Sequence, residues 1–557
     1  MQTVDLKITS NHVLNVFSRT FEPNVLWIND GKIVATGKQP ALIANSTLDY
    51  SDKYLVPGFI DAHVHIESSL VKPSELGKLL LQQGTTSIFA DPHEIANVYG
   101  TYGIDYMLSD AENSPLNTFI MLPSCVPCTN FEHNYEKLNS SKLLPYYENA
   151  QVRGLAELMD FPAVANRDQD MLQKIADCLN HNRQIDGHGA GLSRYQLDIF
   201  RQNHISTDHE CTTPKQVLDR INEGFFVFLR EGTVERDLDN IISVVNESNA
   251  QRFAFCTDDK LINTLVDEGG INFCIKQAIQ HGVQPETAYT MASYNAALAH
   301  QTPHIGALST NYNADIVVLD DYHTVKVNTV IKDGLLLDQF SQLTKPSTIT
   351  NSMNYKLTKK QLELPIKTNK AHVIEIIPNH IETKHSIINV PTQNHLFIPN
   401  TQQDLLKIVV VERHHQLGTV GVGIVHGFKL KNGAVASTIA HDSHNIIAVG
   451  TNDDDIFAAI NHLGAVNGGI TLFNHQKEVA TMPLPIAGLM SDKPYQQAVE
   501  ELNQITATYH QLSDPIDFDP FITLSFLALP VIPTLKITDQ GLYDFDQQKF
   551  ISVEAEA

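Results

Sequence analysis

The stretch VPGFIDAHVHIE (residues 56–67) decides the fold prediction, because it joins an apolar strand to two side chains that can bind a metal ion. Its apolar run ends at His63 and His65, which are two residues apart and therefore project from the same face of a strand. Two such imidazoles can bind one cation, although a His-x-His pair on a solvated strand is the commoner case. The placement of the other polar residues decides between these interpretations.

Short apolar runs alternate with helical segments between residues 57 and 305. Repeated strand–helix units predict a parallel sheet, and a set of eight predicts a TIM-like (β/α)8 barrel, an α/β fold. The eight predicted strands are GFIDAHVHI, TTSIFADPHE, TFIMLPSCVP, VRGLAELMD, QIDGHGAG, HISTDHE, FFVFLREG and RFAFCTDD. Polar residues cluster at the carboxyl ends of these runs, which is the end of such a barrel that carries the active site.

The segments on either side of the barrel predict two further domains. Residues 1–56 and 306–340 contain short strands and turn dipeptides, and we expect them to pair into one small β-sandwich domain. Residues 341–385 are polar, and we expect a connection there. Residues 386–557 mix strands with helices, which predicts an additional α+β C-terminal domain.

Composition restricts the classes of function. Lys plus Arg is 39 and Asp plus Glu is 63, so the formal net charge of −24 argues against binding to nucleic acid or to an anionic membrane surface. We find no apolar run of about 18 residues and no secretory signal pattern at the start. Six cysteines in 557 residues are too few for a disulfide framework. We therefore expect a cytoplasmic protein with a small-molecule partner.

Further candidate metal ligands end the later barrel strands. With the first pair they give four imidazoles and two carboxylates at one mouth, which is too many for a single tetrahedral site. We therefore expect two divalent cations that share Glu157 as a bridging ligand. The alternative is a set of ordinary strand-end residues, with Asp258 capping the following helix. The candidate ligands are His63, His65, Glu157, His188, His209 and Asp258.

Several motifs together resemble the bacterial adenine deaminase family of the amidohydrolase superfamily. They are ADPHEIANV, GLAELMDFP, STDHE, LREG and CTDD in the barrel, and AHDSHNIIAVGTND and PLPIAGLMSD near the C terminus. The likeness runs from about residue 55 to residue 492, and the C-terminal motifs are not general to the superfamily. It implies the hydrolysis of adenine to hypoxanthine and ammonia in purine salvage or catabolism, with Mn²⁺ or Fe²⁺ as the cations. Large enzymes of this kind are often homo-oligomers.

This chemistry assigns roles to two acidic residues. A metal-bound hydroxide attacks C6 of the purine, because a divalent cation lowers the pKa of its bound water. We expect Asp258 to carry the proton from that water to the leaving ammonia. Glu231, which follows the seventh strand, is a candidate acid for ring nitrogen N1. A salt bridge to a nearby Arg or Lys is an equally good interpretation of Glu231.

Other polar residues near the strand ends are candidates for substrate contact or for support of the ligands. His93 and Glu94 either touch the metal or the substrate, or they hold the ligand histidines in place. Ser124 and Glu132 follow the third strand, where they could read the edge of the purine. Arg230 ends the seventh strand and belongs to the same group of candidates.

Two other functions stay open. A related barrel could act on a cyclic amide or on a different aminopurine, although AELMD (residues 156–160) lacks the lysine that hydantoinase-like and dihydroorotase-like relatives carboxylate to bridge their metals. A non-catalytic acidic scaffold on a degenerate barrel would bind no stoichiometric metal. The run of residues 441–445 has metal-ligand residue types, but packing near the barrel mouth is the favoured interpretation.

Overall fold

The computed structural model describes residues 2–337, 349 and 352–556. The strands are β1 (Gln2–Asn15), β2 (Thr20–Asn29), β3 (Lys32–Thr36), β4 (Leu42–Asp49), β5 (Tyr54–Pro57), β6 (Phe59–Val64), β7 (Thr85–Ala90), β8 (Asn117–Leu122), β9 (Val152–Leu158), β10 (Gln184–Gly187), β11 (Thr207–Asp208), β12 (Phe226–Arg230), β13 (Phe253–Cys256), β14 (Ile316–Asp321), β15 (Lys326–Lys332), β16 (Leu335–Leu336), β17 (Lys370–Ile376), β18 (Thr383–Asn389), β19 (Thr392–Gln393), β20 (Leu396–Phe397), β21 (Leu405–Val411), β22 (Val420–His426), β23 (Ala434–Ser437), β24 (Ile446–Gly450), β25 (Gly469–Asn474), β26 (Lys477–Pro483), β27 (Leu535–Thr538), β28 (Gly541–Asp544) and β29 (Lys549–Ile551).

The α-helices are α1 (Pro73–Gln82), α2 (His93–Tyr99), α3 (Thr101–Ala111), α4 (Ser140–Leu143), α5 (Phe161–Ala165), α6 (Gln169–Asn180), α7 (Arg194–Gln202), α8 (Pro214–Asn222), α9 (Leu238–Ile241), α10 (Ile262–Asp267), α11 (Ile271–Gln280), α12 (Pro285–Thr290), α13 (Ala296–Ala299), α14 (Asp453–Val466), α15 (Tyr495–Leu512) and α16 (Pro520–Phe526). Short 3₁₀ turns lie at Ile66–Ser69, Leu144–Glu148, Ile242–Val244, Ala250–Arg252 and Lys359–Leu362, and a π-helical turn lies at Met291–Asn295. No helix in the described part of the chain combines the length and apolar character needed to cross a membrane.

Two distant segments of the chain build the first sheet. Its order is β16-β15-β14-β5-β1-β2-β3, and β4 also pairs with β1. Strand β1 reaches two partners on one side because its first half pairs with β4 and its second half with β5. Val4, Leu6 and Ile8 are buried while the residues between them are more exposed, which is typical of a sheet with one covered face. Of the segment that we expect to complete this domain, residues 338–340 lie outside the described residues.

Eight parallel strands, β6 to β13, form the predicted barrel, so the (β/α)8 prediction is confirmed. The strands pair in the order β10-β9-β8-β7-β6 and β11-β12-β13. The barrel closes between the first and last strands, where Asp258 N donates to His63 O at 3.0 Å. All six residues of β6 are buried, as expected for a parallel strand that helices cover on the outside.

The C-terminal region is built on a second eight-stranded sheet with the order β18-β17-β22-β21-β24-β23-β25-β26. Helix α14 begins at an Asn452 cap that accepts from Asp455 N, and it buries Ile456, Ile460 and Leu463 on one helical face. Strand β17 pairs with β18 and β22, so residues 370–376 belong to this sheet although the sequence suggested a connection there. Residues 341–348, 350 and 351 of that expected connection lie outside the described residues.

The loop between β23 and β24 packs against the mouth of the barrel. Asn445 Nδ2 donates to His133 O at 2.9 Å, and His441 Nδ1 lies 2.7 Å from a carboxylate oxygen of Glu94. On the other side of the mouth, Ser491 N donates to Leu70 O at 2.8 Å. The C-terminal region therefore forms part of the wall around the carboxyl ends of the barrel strands.

Candidate active site

The histidine pair at the end of β6 is oriented by hydrogen bonds to its outer ring nitrogens. His63 Nδ1 donates to Asp186 Oδ2 at 2.9 Å, and His65 Nδ1 donates to the backbone oxygen of Asp91 at 3.1 Å. A carbonyl oxygen can only accept, so the proton of His65 is on Nδ1. The Nε2 atoms of the two histidines then face each other at 3.2 Å. A cation fits between such nitrogens.

Glu157, at the end of β9, places its two oxygens toward different groups of imidazoles. Its Oε1 lies 3.2 Å from His65 Nε2 and 3.8 Å from His63 Nε2. Its Oε2 lies 2.7 Å from His188 Nδ1 and 3.2 Å from His209 Nε2. A single carboxylate therefore connects the histidines of β6 with those that follow β10 and β11.

Asp258, which follows β13, also faces the first histidine pair. Its Oδ1 is 3.1 Å from His65 Nε2 and 3.5 Å from His63 Nε2. Its Oδ2 accepts from Arg230 Nη1 at 2.9 Å, and the same guanidinium also bonds to Glu210 and Asp237. One oxygen of Asp258 is thus held by Arg230, and the other faces the imidazoles.

All six predicted ligands therefore converge at one mouth of the barrel. The charges of these side chains indicate which kind of ion the site could bind. Burial opposes charge on His63 and His65, but surrounding carboxylates outweigh it and hold the pKa of both imidazoles well above the usual value. Glu157 and Asp258 are likewise buried, yet the facing imidazoles hold the pKa of both carboxyls well below the usual value. Such a buried mixture of imidazole nitrogens and carboxylate oxygens suits a divalent metal ion of the Mn, Fe or Zn type. His188, whose side chain is 15% exposed, faces the opening.

His93 and Glu94, at the start of α2, lie between Glu157 and the C-terminal region. His93 Nδ1 is 2.8 Å from Asp91 Oδ2 and 3.6 Å from Glu157 Oε1, and its Nε2 is 3.2 Å from Glu94 Oε1. Glu94 in turn bonds to His441 and His444 of the C-terminal region. These contacts favour a role in holding the centre.

Glu94, His441 and His444 are close enough together to hold a metal ion, but their contacts favour a hydrogen-bond cluster. Ala440 N donates to His444 Nδ1 at 3.2 Å, which leaves the ring proton on Nε2, where it is donated to Glu94. A ring nitrogen that carries a proton cannot bind a metal ion. The geometry therefore supports packing near the barrel mouth, which was the favoured interpretation of residues 441–445.

Ser124 and Glu132 follow β8 but have different surroundings. Ser124 Oγ donates to the backbone oxygen of Glu157 at 2.5 Å, and Lys174 Nζ donates to Ser124 O at 2.8 Å. Ser124 thus supports the end of β9. Glu132 is buried, and neither of its carboxylate oxygens has a hydrogen-bond partner among the described residues.

Glu231 is buried beside basic groups. Its Oε1 lies 3.6 Å from Arg236 Nη1, and its backbone oxygen accepts from Lys260 Nζ at 3.2 Å. Burial raises the pKa of the Glu231 carboxyl to about 7, more than these two cations lower it. Of the two interpretations that the sequence left open, the contacts favour the salt bridge.

Sequence reasoning missed several residues that support the ligands. Asp186 lies in β10, two positions before His188, so the period of two along the predicted strand could have indicated that it also points inward. Asp91 precedes Pro92, a pattern typical of the start of a turn, yet it bonds to both His65 and His93. Asp442, whose Oδ1 is 3.9 Å from His93 Nε2, carries no local signal that connects it with the barrel.

Two family models match successive parts of the chain. The family model described as "Amidohydrolase family" matches residues 54–356, and the model described as "Adenine deaminase C-terminal domain" matches residues 380–549. A solved structure of N-acetyl-D-glucosamine-6-phosphate deacetylase from Mycobacterium smegmatis is 17% identical, with a TM-score of 0.46 over 59% of this chain and 99% of that chain.

Curated relatives match nearly the whole chain. The adenine deaminase of Leuconostoc mesenteroides is 48% identical over 98% of this chain and 98% of its own length. The adenine deaminase of Lactiplantibacillus plantarum is 48% identical over 99% of this chain and 98% of its own length. With both family models matched in order along it, the chain belongs to the adenine deaminase family of the amidohydrolases.

Proposed function

We propose that this protein hydrolyses adenine to hypoxanthine and ammonia at a divalent metal centre in the mouth of the barrel. The observation that carries this proposal is the position of Glu157, whose two oxygens face two separate groups of imidazole nitrogens. This arrangement supports two cations that share one carboxylate. The full-length likeness to adenine deaminases supports adenine as the substrate.

The proposed ligand set assigns residues to each cation. The Nε2 atoms of His63 and His65, with Asp258, would hold one ion, and His188 with His209 would hold the other. Glu157 would contribute one oxygen to each. Imidazole and carboxylate ligands accommodate Mn²⁺ or Fe²⁺, which are the ions that we propose. When bound, such ions lower the pKa of water, so that a nucleophile is present at neutral pH.

Asp258 is the proposed proton carrier. Arg230 occupies its Oδ2, so Oδ1 is the atom that faces the reacting groups. We assign Oδ1 to accept a proton from the attacking water and to deliver it to the amino nitrogen that leaves C6. Water thereby supplies the oxygen of hypoxanthine, and the amino group leaves as ammonia. A positioned acid–base group of this kind contributes about 10²- to 10⁴-fold to the rate.

The test is direct incubation of the metal-loaded protein with adenine. We expect the ultraviolet spectrum to shift to that of hypoxanthine, with one ammonia released per adenine. Asp258→Asn is expected to retain the fold and to lose about 10²-fold or more in kcat. Ring opening of a cyclic amide without ammonia release, or no turnover at full metal loading, would contradict the proposal.

The proposed oligomeric state, location and partners of the protein rest on the sequence alone. We propose a homo-oligomer in the cytoplasm with no nucleic-acid or membrane partner. Sedimentation of the purified protein at several concentrations tests the oligomeric state. A monomer at all concentrations would remove that part of the proposal.

A further inference from the structure

Buried carboxyl oxygens without hydrogen-bond partners within residues 2–337, 349 and 352–556 include Oε2 of Glu67 and Oε2 of Glu235. Glu132 lacks a partner at both of its carboxyl oxygens, and Asp442 lacks one at Oδ2. The two residues are 5% and 3% exposed. An unpaired buried polar group opposes folding, so native proteins rarely keep one without a use for it. Two such groups beside a catalytic centre indicate that a ligand completes their hydrogen bonds.

The two carboxyls are neighbours, and Asp442 connects them with the metal centre. Asn445 Nδ2 donates to His133 O at 2.9 Å, which joins the loop of Asp442 to the loop of Glu132. Burial first, and then the charge of Asp442, hold the pKa of Glu132 well above its usual value. The Ser443 hydroxyl lowers that pKa but forms no hydrogen bond of ordinary geometry with Glu132. Asp442 Oδ1 lies 3.9 Å from His93 Nε2, and the other ring nitrogen of His93 lies 3.6 Å from Glu157. The pair therefore extends outward from the Glu157 side of the centre.

The loop that carries Glu132 is fixed by the residues on either side of it. Thr538 Oγ1 donates to Phe131 O at 2.7 Å. On the other side, His133 Nδ1 lies 2.6 Å from Asp539 Oδ2, and Asn445 Nδ2 donates to His133 O at 2.9 Å. Glu132 is thus held in place by its neighbours while its own oxygens stay unbonded, which is the arrangement of a preorganised binding group.

We propose that Glu132 and Asp442 form the subsite for the five-membered ring of adenine, where their unpartnered oxygens accept the ring N–H of the free base. This inference rests on the proposed deamination of adenine. With C6 at the metal centre, the five-membered ring extends away from it, and one nitrogen of that ring carries a hydrogen only while no sugar is attached. A carboxyl oxygen accepts N–H in either protonation state. The subsite therefore selects the free base over its nucleoside.

The first test uses the wild-type protein and two ligands that are not deaminated. We would measure the Kd of hypoxanthine and of 9-methylhypoxanthine by titration calorimetry on the full chain loaded with Mn²⁺. Because the methyl group removes the ring N–H and leaves buried acceptors unpaired, we expect hypoxanthine to bind at least about 100-fold more tightly. Equal affinities would overturn the inference without any variant.

The second test replaces the carboxyls with apolar groups of similar length in Glu132→Met and Asp442→Leu. We expect hypoxanthine affinity to fall about tenfold or more in each variant, while affinity for 9-methylhypoxanthine changes less than about threefold. KM for adenine should rise more than kcat falls. The melting temperature should stay the same or rise, because an unpaired buried carboxyl is removed. Glu148→Met, at a side chain that is 86% exposed, is the matched control.

Three outcomes of the second test would overturn the inference. They are equal loss of both ligands, unchanged binding of hypoxanthine, and failure of Glu132→Met to fold, since no hydrogen bond is assigned to the Glu132 carboxyl. The proposed function fails separately, if the wild-type protein releases no ammonia from adenine. Ammonia release together with equal affinity for the two ligands contradicts the subsite alone.

Discussion

At the scale of single residues, the outer ring nitrogens decide which histidine atoms can bind a cation. Asp186 accepts from His63 Nδ1 and in that way keeps Nε2 free to bind. We expect Asp186→Asn to weaken metal binding by about 10- to 100-fold, because an amide orients the imidazole less strongly than a carboxylate. Metal titration of the chelator-treated protein measures this. Asp52→Asn, at an 82% exposed side chain, is the control, and equal affinities of the two variants would contradict the assignment.

Glu231 offers a residue-scale test of pH dependence. Burial raises the pKa of its carboxyl from 4.5 to about 7 in the folded state. The folded protein therefore binds this proton more tightly than the unfolded chain does, and stability is lost as the pH rises from about 4.5 to about 7. Glu231→Gln should be more stable than wild type at pH 8, and that difference should disappear near pH 4.5. Urea unfolding at both pH values measures it.

The same variant also separates the two interpretations of Glu231. If the residue serves only in the contact with Arg236, kcat of Glu231→Gln should stay within about threefold of wild type. If it protonates N1, kcat should fall about 10²-fold or more. That larger fall would contradict the salt-bridge interpretation.

At the scale of elements, the barrel strands were predictable from the sequence, whereas strand β17 of the C-terminal sheet was not. Runs such as FVFLR in β12 and FAFC in β13 are almost wholly apolar, as parallel strands covered on both faces must be. Glu157 and Asp258 were predictable because each directly follows such a run. Strand β17 was missed because its apolar residues are interrupted by His372 and Glu375 and lie in a polar region. Its place depends on pairing with β22, which is distant in sequence.

Ser124 tests how the loop after β8 supports the end of β9. Its hydroxyl donates to the backbone oxygen of Glu157, which Ser124→Ala would leave buried with one bond fewer. We expect the free energy of unfolding to fall by about 1 kcal/mol and kcat to fall several-fold, with KM nearly unchanged. Chemical denaturation and steady-state kinetics measure these effects. Ser141→Ala, at an exposed position in α4, is the control, and equal kinetics for both variants would contradict this role.

At the scale of the whole molecule, the C-terminal region supplies hydrogen-bond partners for Glu94 beside the metal centre. His441 and His444 lie about 350 positions from Glu94 along the chain. No local pattern could predict this contact, since it arises only when the two regions pack together. The same holds for Asp442 beside Glu132.

We expect His444→Ala to lower the free energy of unfolding by about 2–3 kcal/mol, because it removes one hydrogen bond to a buried carboxylate. The loss should be much smaller in a Glu94→Gln background, where that charge is absent. Denaturant unfolding of the two single variants and the double variant measures this coupling. Additive losses would show that the two side chains do not act as a pair.

The most direct test of the central claim is the location of the cations. Anomalous diffraction from crystals of the Mn²⁺-loaded protein should show two peaks, one on each side of Glu157. One peak should lie against His63, His65 and Asp258, and the other against His188 and His209. A single peak, or a peak at Glu94, His441 and His444 instead, would contradict a centre that shares Glu157.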